Sequence, residues 1–309
     1  MQHATALLFP GQGSQRVGMG KELALASPVA KRTYEEADDA LGFALSAICF
    51  EGPEDALVLT KHTQPAILAT SIAVFRTLLE RGLAFGIVAG HSLGEWTALV
   101  AAGSISLRDA VRLTNLRGQF MQEAVPVGQG AMAALIGLDL AKTRALCEAS
   151  SQPGEPVELA NLNGAGQIVV SGHVAAVDRA IAGAKGAGAK LAKKLPVSAP
   201  FHCSLMKPAA DRLAAAMAGL TIAVPSVPVV ANVTAEPTQD PAHIKQLLVQ
   251  QVTAPVRWEE SVQYIAKAGV VRAFELGSGA VLKGLVKRIA DTIEVTTIGE
   301  PHEVAAFTA

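Results

Sequence analysis

A serine that could act as a nucleophile lies in the run Gly-His-Ser-Leu-Gly at positions 90–94. This G-x-S-x-G pattern falls between a predicted strand over 86–89 and a predicted helix over 93–102. In that setting a serine occupies a tight strand-to-helix turn, and its hydroxyl projects above the edge of the sheet. The first N–H groups of the helix could then stabilise a developing oxyanion. A serine that merely caps the helix is the structural alternative.

A nucleophilic serine needs a general base, and His202 is the best placed of the seven histidines. It follows a turn at 197–201 that leaves a predicted strand, so it returns to a domain boundary, where clefts form. A structural histidine is the alternative. His91 adjoins Ser92, and we expect it to point away and shape the turn.

A carboxylate to complete a triad is missing from the pattern. In α/β-hydrolases the acid stands between the serine and the histidine in chain order. Asp139 and Asp178 stand there, but they fall at predicted helix starts and are typical of capping or first-turn residues. The sequence therefore predicts a Ser–His dyad whose Nδ1–H is held by a group other than a carboxylate.

The elements that position these residues alternate between short aliphatic runs and longer helical patterns, which predicts an α/β fold. In the outer parts of the chain we predict strands over 4–9, 86–89 and 270–276, and helices over 65–81, 93–102, 107–122 and 280–290. Together with the serine turn, they indicate a large α/β-hydrolase-like domain with a parallel sheet, built from residues 1–126 and 199–309.

In the middle of the chain the order of predicted strands and helices differs from that of the outer parts, which predicts a small inserted domain over 127–198. Its order is βαββαβ, which is that of a ferredoxin-like unit. The predicted strands are 131–137, 157–162, 167–171 and 191–197, and the predicted helices are 140–150 and 174–187.

Composition excludes several classes of protein. The formal net charge is −1, which argues against a uniformly basic nucleic-acid binder, and 50% hydrophobic residues argue against disorder. No apolar stretch approaches the ~18 residues of a spanning helix, and the start reads as a strand, not a signal peptide. Cys49, Cys147 and Cys203 show neither disulfide nor metal-ligand spacing. We expect a cytoplasmic monomer without nucleic-acid or membrane partners.

The whole chain resembles the malonyl-CoA:acyl carrier protein transacylases, the acyltransferases of type II fatty-acid synthesis, to which polyketide-synthase acyltransferases are related. The resemblance rests on several motifs that occur in order. They are Phe-Pro-Gly-Gln-Gly-Ser-Gln at 9–15, Thr-Gln-Pro-Ala at 63–66, Gly-His-Ser-Leu-Gly-Glu at 90–95, Arg-Gly at 117–118, Met-Gln at 121–122, Gly-Ala-Met at 130–132, Pro-Val-Ser-Ala-Pro-Phe-His at 196–202 and Asn-Val at 232–233.

The resemblance implies a catalytic role for five residues. Ser92 would be the acylated nucleophile and His202 its general base. The backbone N–H groups of Gln12 and Leu93 would form the oxyanion hole. The backbone carbonyl of Gln251 would accept a hydrogen bond from the histidine, which agrees with the missing carboxylate.

Two further residues would recognise the substrate. The resemblance implies that Arg117 binds the free carboxylate of the malonyl group, for which a guanidinium is a rigid two-pronged donor. The resemblance also implies that Phe201 accompanies a preference for malonyl over bulkier, α-branched acyl groups. The structural alternatives are a solvated helical arginine and a core aromatic. The chain departs from the family at Trp96, Cys203 and Ser278, where tyrosine, serine and proline are usual, and these changes concern loop stiffness and pocket width.

The implied reaction is a ping-pong transfer of malonyl from malonyl-CoA to the phosphopantetheine thiol of acyl carrier protein, with no cofactor beyond the coenzyme A thioester. Because carrier proteins are acidic, we expect a basic docking patch. The candidates are Lys190, Lys193 and Lys194, and Lys283, Lys287 and Arg288. The alternatives are a stand-alone acyltransferase of a polyketide pathway, a serine thioesterase or esterase, and a non-catalytic carrier-docking module.

Overall fold

The computed structural model describes residues 5–197 and 199–308, which contain two β-sheets surrounded by α-helices. The strands are β1 Thr5–Phe9, β2 Ile87–Gly90, β3 Gly130–Ile136, β4 Val157–Leu162, β5 Gln167–His173, β6 Leu191–Lys194, β7 Val229–Val230, β8 Pro237–Thr238, β9 Arg272–Leu276 and β10 Glu294–Ile298. The α-helices are α1 Lys21–Ala26, α2 Pro28–Leu41, α3 Leu45–Glu51, α4 Glu54–Leu57, α5 Thr60–Leu79, α6 Leu93–Ala101, α7 Leu107–Glu123, α8 Leu140–Ser150, α9 Val174–Ala184, α10 Lys207–Ala216, α11 Pro241–Gln250, α12 Trp258–Lys267, α13 Val281–Ile289 and α14 Pro301–Ala306.

The large sheet has the strand order β10-β9-β1-β2-β7-β8, and its pairs are parallel except β7 with β8. The central strand β1 is buried along its whole length, because helices cover both faces of a parallel sheet. Phe9 pairs with Gly90, so β1 and β2 end at the same edge. The loop that follows β1 and the serine turn that follows β2 therefore lie side by side.

The small sheet is antiparallel and has the strand order β4-β5-β3-β6. Helices α8 and α9 pack on one face, with a core that includes Ala133 and Val170. The alternating residues face the opposite way, and Met132, Ala134 and Leu195 pack against the main hydrophobic core. We call this second side the inner face of the small sheet, because it closes over the edge where β1 and β2 end.

The predicted helix over 65–81 was placed too late in the chain, since α5 begins at Thr60 and contains Pro65. A proline inside a helix leaves the carbonyl four residues earlier without its usual partner. Here that carbonyl belongs to Lys61, and Asn115 on α7 donates its side-chain N–H to it at 2.7 Å. A contact from a neighbouring helix thus permits an arrangement that the local sequence disfavours.

The other predicted elements occur with shifts at their ends. The structure confirms the helix over 140–150 and the strand over 157–162 at those bounds. The strand predicted over 191–197 ends at Lys194, before Pro196, which has no N–H to donate to a ladder. The helix predicted over 174–187 ends at Ala184. Residues 4 and 198, which bound a predicted strand and the predicted insertion, lie outside the described part of the chain.

Helices α1 to α4 were absent from the sequence prediction, as were β7, β8, β10, α10, α11, α12 and α14. Several of these elements are short; β7 and β8 have two residues each. None of the helices in the described ranges is both long and apolar enough to cross a bilayer.

Candidate active site

Ser92 occupies the predicted turn between β2 and α6, with a φ of 53° and a ψ of −106°. The turn is tight because backbone groups approach the two flanking glycines. A Cβ at Gly90 would lie 1.9 Å from the carbonyl carbon of Gly94, and one at Gly94 would lie 2.0 Å from the carbonyl oxygen of Phe9. Any side chain at either position would therefore displace the serine.

Ser92 and His202 are brought together across the site. The serine Oγ lies 2.7 Å from His202 Nε2, and His202 Nδ1 lies 2.9 Å from the backbone carbonyl oxygen of Gln251. The carbonyl can only accept, so Nδ1 carries the proton and Nε2 accepts from the serine hydroxyl. Burial, and then the charge of Arg117, lower the pKa of His202 to about 3, so the imidazole is neutral at neutral pH.

Arg117 reaches the same point from α7 and is buried, with 1% of its surface exposed. Its Nη1 donates to Gln64 Oε1 at 2.7 Å, and its Nη2 donates to Gln251 Oε1 at 2.9 Å and to Ser92 Oγ at 3.2 Å. Within the described residues, its Nε–H has no hydrogen-bond partner. Burial lowers the pKa of Arg117 to about 10, which still leaves the guanidinium charged at neutral pH.

The remaining predicted residues line one small cavity of about 120 Å³ beside the serine. Leu93 is the first residue of α6, so its N–H has no carbonyl partner within the helix. Gln12 lies on the loop after β1, and Phe201 is a buried aromatic next to His202. The cavity residues are Gln12, Gln64, His91, Ser92, Leu93, Arg117, Met121, Met132, Asn161, Leu195, Val197, Phe201 and His202. A space of this size is far below the roughly 300–1,000 Å³ of drug-sized sites and suits a small acyl group.

A buried polar network that sequence reasoning missed supports the turn. Asn232 Oδ1 accepts from the Ser92 N–H at 2.7 Å, and its Nδ2 donates to the Gly90 carbonyl at 2.7 Å. Glu95 Oε2 accepts from the Asn232 N–H at 3.0 Å and from Gln251 Nε2 at 2.7 Å. Burial raises the pKa of Glu95 to about 7. Glu95 and Asn232 belong to the motifs at 90–95 and 232–233, but nothing in the sequence indicated which residues they contact.

The remaining polar candidates make no hydrogen bond to the serine hydroxyl, whose partners in the described residues are His202 and Arg117. His91 turns its Nε2 to Asn163 Oδ1 at 2.9 Å, as expected of a residue that shapes the turn. Asp139 caps α8, which confirms the structural interpretation of that carboxylate. Asp178 lies beyond the first turn of α9 and pairs with Lys194 at 2.7 Å, so its prediction as a capping or first-turn residue was wrong.

Comparisons with known proteins agree on one family. Residues 6–298 match the model of the acyl transferase domain. The malonyl CoA-acyl carrier protein transacylase of Salmonella typhimurium is 49% identical over 302 residues, which cover 97% of each chain. The crystal structure of an acyl-carrier-protein S-malonyltransferase from Bartonella henselae superposes with a TM-score of 0.95, at 49% identity and 98% coverage of both chains.

A further solved structure is that of a malonyl-transacylase in complex with its type II polyketide-synthase acyl-carrier protein. It superposes with a TM-score of 0.95, at 46% identity and 97% coverage of both chains. Match length, identity and fold agree with the motifs that surround Ser92, Arg117 and His202. The chain therefore belongs to the acyl transferase domain family and, within it, to the malonyl CoA-acyl carrier protein transacylases.

Proposed function

We propose that the chain transfers the malonyl group of malonyl-CoA to the phosphopantetheine thiol of acyl carrier protein, through a malonyl-serine intermediate at Ser92. One observation carries the choice of substrate. Arg117 is a buried guanidinium 3.2 Å from the serine hydroxyl, and its Nε–H lacks a partner in the described residues. A buried charged donor is costly unless it is paired, and the malonyl carboxylate is an anion that could pair with it.

The first half-reaction forms the malonyl-serine. His202 Nε2 takes the hydroxyl proton as the Ser92 oxygen attacks the thioester carbonyl. The backbone N–H groups of Gln12 and Leu93 stabilise the resulting oxyanion. The C–S bond then breaks, and His202 returns the proton to the coenzyme A thiolate. Each proton transfer leaves His202 briefly as an imidazolium, and the backbone carbonyl of Gln251 stabilises that cation.

The second half-reaction repeats these steps in reverse with a new thiol. His202 takes the proton of the phosphopantetheine thiol, the thiolate attacks the malonyl-serine ester, and the proton returns to the Ser92 oxygen. Arg117 holds the free carboxylate of the malonyl group throughout. Phe201 limits the width of the cavity, which favours an unbranched malonyl group. The cycle needs no cofactor besides the coenzyme A thioester that is its substrate.

The proposed division of the chain follows the two sheets. The proposed large α/β-hydrolase-like domain comprises residues 1–126 and 199–309, of which the structure describes 5–126 and 199–308, and the proposed inserted ferredoxin-like domain comprises residues 127–198, of which it describes 127–197. The position of the nucleophile between β2 and α6 supports the first description. The order β4-β5-β3-β6, with α8 and α9 on one face, supports the second. The cavity lies between the two units, because both contribute lining residues.

The carrier protein is proposed to dock where the inner face of the small sheet meets α13. Lys193 is exposed and lies on the inner face, two positions before Leu195, which lines the cavity. On α13 the candidates Lys283, Lys287 and Arg288 are exposed, and Arg288 reaches Gln167 of β5. Lys194 points to the opposite face and pairs with Asp178, which removes it from the proposed patch.

The proposed setting is a cytoplasmic monomer. Cys49, Cys147 and Cys203 are free thiols, which supports a reducing compartment. Fatty-acid synthesis is the proposed pathway. A polyketide carrier is the second candidate, because one similar structure holds a type II polyketide-synthase carrier with its transacylase.

The test is incubation with malonyl-CoA alone, followed by mass spectrometry of the intact protein and of its peptides. We expect a malonyl adduct on Ser92 that disappears when a carrier protein with a free phosphopantetheine thiol is added. Ser92→Ala should form no adduct. Rapid release of free malonate without an adduct would indicate a hydrolase and contradict the proposal. Carriers from fatty-acid and polyketide synthesis, tested in parallel, decide between the two pathways.

A further inference from the structure

Glu95 is a buried carboxylate for which the proposed cycle has no use. It is the third residue of α6, with 3% of its surface exposed. Its Oε2 accepts from the side-chain Nε2 of Gln251 at 2.7 Å and from the backbone N–H of Asn232 at 3.0 Å. The same atom therefore contacts two residues that in turn hold the backbone of Ser92.

The side-chain amide of Gln251 connects Glu95 to Arg117. Its Nε2 faces Glu95 and its Oε1 accepts from Arg117 Nη2 at 2.9 Å. An ionised carboxylate accepts hydrogen bonds and cannot donate them, so Glu95 admits only the N–H end of the amide. The oxygen end is thereby directed to the guanidinium. Nε2 also donates to the backbone carbonyl of Ser92 at 3.0 Å and to Asn232 Oδ1 at 3.2 Å, so Glu95 is the charged member of three acceptors that hold the amide in this orientation.

We infer that Glu95 is a positioning residue for malonyl recognition: it helps to hold the Gln251 amide toward Arg117, and its negative charge weakens the hold of Arg117 on the malonyl carboxylate. This inference rests on the proposed function. A buried guanidinium needs a counter-charge when no substrate is bound, and Glu95 supplies it through the amide. The arriving malonyl carboxylate must share the guanidinium with Glu95. Arg117 therefore binds the malonyl carboxylate less tightly in the two non-covalent states, before Ser92 is acylated and after the malonyl group has moved to the second thiol.

The ionisation of Glu95 as the pH rises provides a way to test this role. Burial raises its pKa to about 7. The other charged or titratable groups that face this cluster are Arg117, with a pKa lowered to about 10, His202, with a pKa lowered to about 3, and His91, whose pKa burial lowers from 6.5. Between about pH 6.5 and 8.5, Glu95 is the member of this cluster that ionises. As it gains its charge, malonyl affinity should fall.

The experiment measures KM for malonyl-CoA and the inhibition constant of acetyl-CoA, which lacks the carboxylate, from about pH 6.5 to 8.5. We expect the malonyl-CoA KM of the unmodified enzyme to rise on the order of tenfold, the effect of one charge at short range in a partly dry site. The acetyl-CoA constant should stay level, which controls for ionisation of coenzyme A itself. Glu95→Gln keeps an acceptor oxygen but has no charge, so its malonyl-CoA KM should be low and independent of pH.

Glu275→Gln is the matched control, because Glu275 is another buried glutamate whose oxygens accept from backbone N–H groups, those of Leu282 and Lys283. It should keep the pH dependence of the unmodified enzyme. The same pH dependence in Glu95→Gln, or equal shifts for malonyl-CoA and acetyl-CoA, would overturn the inference. If Glu95→Gln does not fold, the unmodified enzyme still tests the inference. A ratio of the malonyl-CoA KM to the acetyl-CoA inhibition constant that does not change with pH would overturn it. Absence of malonyl transfer at every pH would instead contradict the proposed function.

Discussion

At the scale of single residues, Arg117 gives the site its proposed preference for a substrate with a free carboxylate. Arg117→Ala removes the only partner proposed for that carboxylate while Ser92 and His202 remain. We expect kcat/KM for malonyl-CoA to fall by about a hundredfold or more, the usual effect of truncating one side of a buried charged pair. Transfer from acetyl-CoA should be retained or increased. Steady-state kinetics with both thioesters measure the difference.

Arg108→Ala is the control for that substitution, because Arg108 lies on the same helix and is exposed. It should leave both substrates unaffected. An Arg117→Ala enzyme with undiminished preference for malonyl-CoA would eliminate the proposed carboxylate contact.

His202 makes the stability of the protein depend on pH. Its pKa is about 3 in the folded protein and ordinarily 6.5, so below pH 6.5 the unfolded chain binds a proton that the native chain does not. Its contribution to stability is complete above pH 6.5 and is lost as the pH falls toward 3. We expect the free energy of unfolding to fall with acidification more steeply than in His202→Asn, by up to about 1.4 kcal/mol per pH unit. Urea unfolding of both proteins at pH values from about 6.5 to 4 measures this. Parallel curves would refute the stated charge state of the buried imidazole.

At the scale of elements, α5 depends on a contact from α7 to accommodate Pro65. Asn115→Ala removes the donor to the Lys61 carbonyl, and we expect the free energy of unfolding to fall by about 1 kcal/mol. Pro65→Ala restores a backbone N–H that can bond to the same carbonyl. In that background the cost of Asn115→Ala should be close to zero. A double-mutant cycle by urea denaturation gives the coupling, and additive effects would show that Asn115 does not compensate for the proline.

How much of this molecule could be predicted depends on the range of the interactions. The turn at Ser92 is specified locally by Gly90 and Gly94, so sequence predicts it well. The small sheet follows from period-two and helical patterns. The positions of Asn232 and Glu95 depend on contacts between residues more than a hundred positions apart. A buried carboxylate and a surface carboxylate look alike in a sequence. The family resemblance therefore identified the motifs that contain Glu95 and Asn232, whereas the hydrogen bonds between them are visible only in the fold.

At the scale of the whole molecule, the two faces of the small sheet predict different roles for adjacent lysines. Lys193 lies on the inner face beside the cavity, and Lys194 pairs with Asp178 on the helical face. We expect Lys193→Glu to raise the KM for acyl carrier protein by about fivefold, the effect of one exposed charge pair, with little change in the KM for malonyl-CoA. Lys194→Glu should leave both constants near their original values. Steady-state kinetics at low salt test this, and equal effects of the two substitutions would remove the inner face from the docking surface.

The backbone of Ser92 and of His202 has a positive φ, 53° and 60° respectively. Residues with a side chain adopt this region at a conformational cost of about 1–3 kcal/mol each. Glycine would relieve that cost at either position but would remove the proposed nucleophile or the proposed general base. Selection for thermal stability and selection for the proposed chemistry therefore oppose each other at these two positions, whereas Ala165 and Ala235, with a φ of 51° and 58°, have no proposed role in the reaction. A heat-resistant descendant must find its extra stability elsewhere, and a lineage that loses the need to transfer acyl groups should lose these two side chains early.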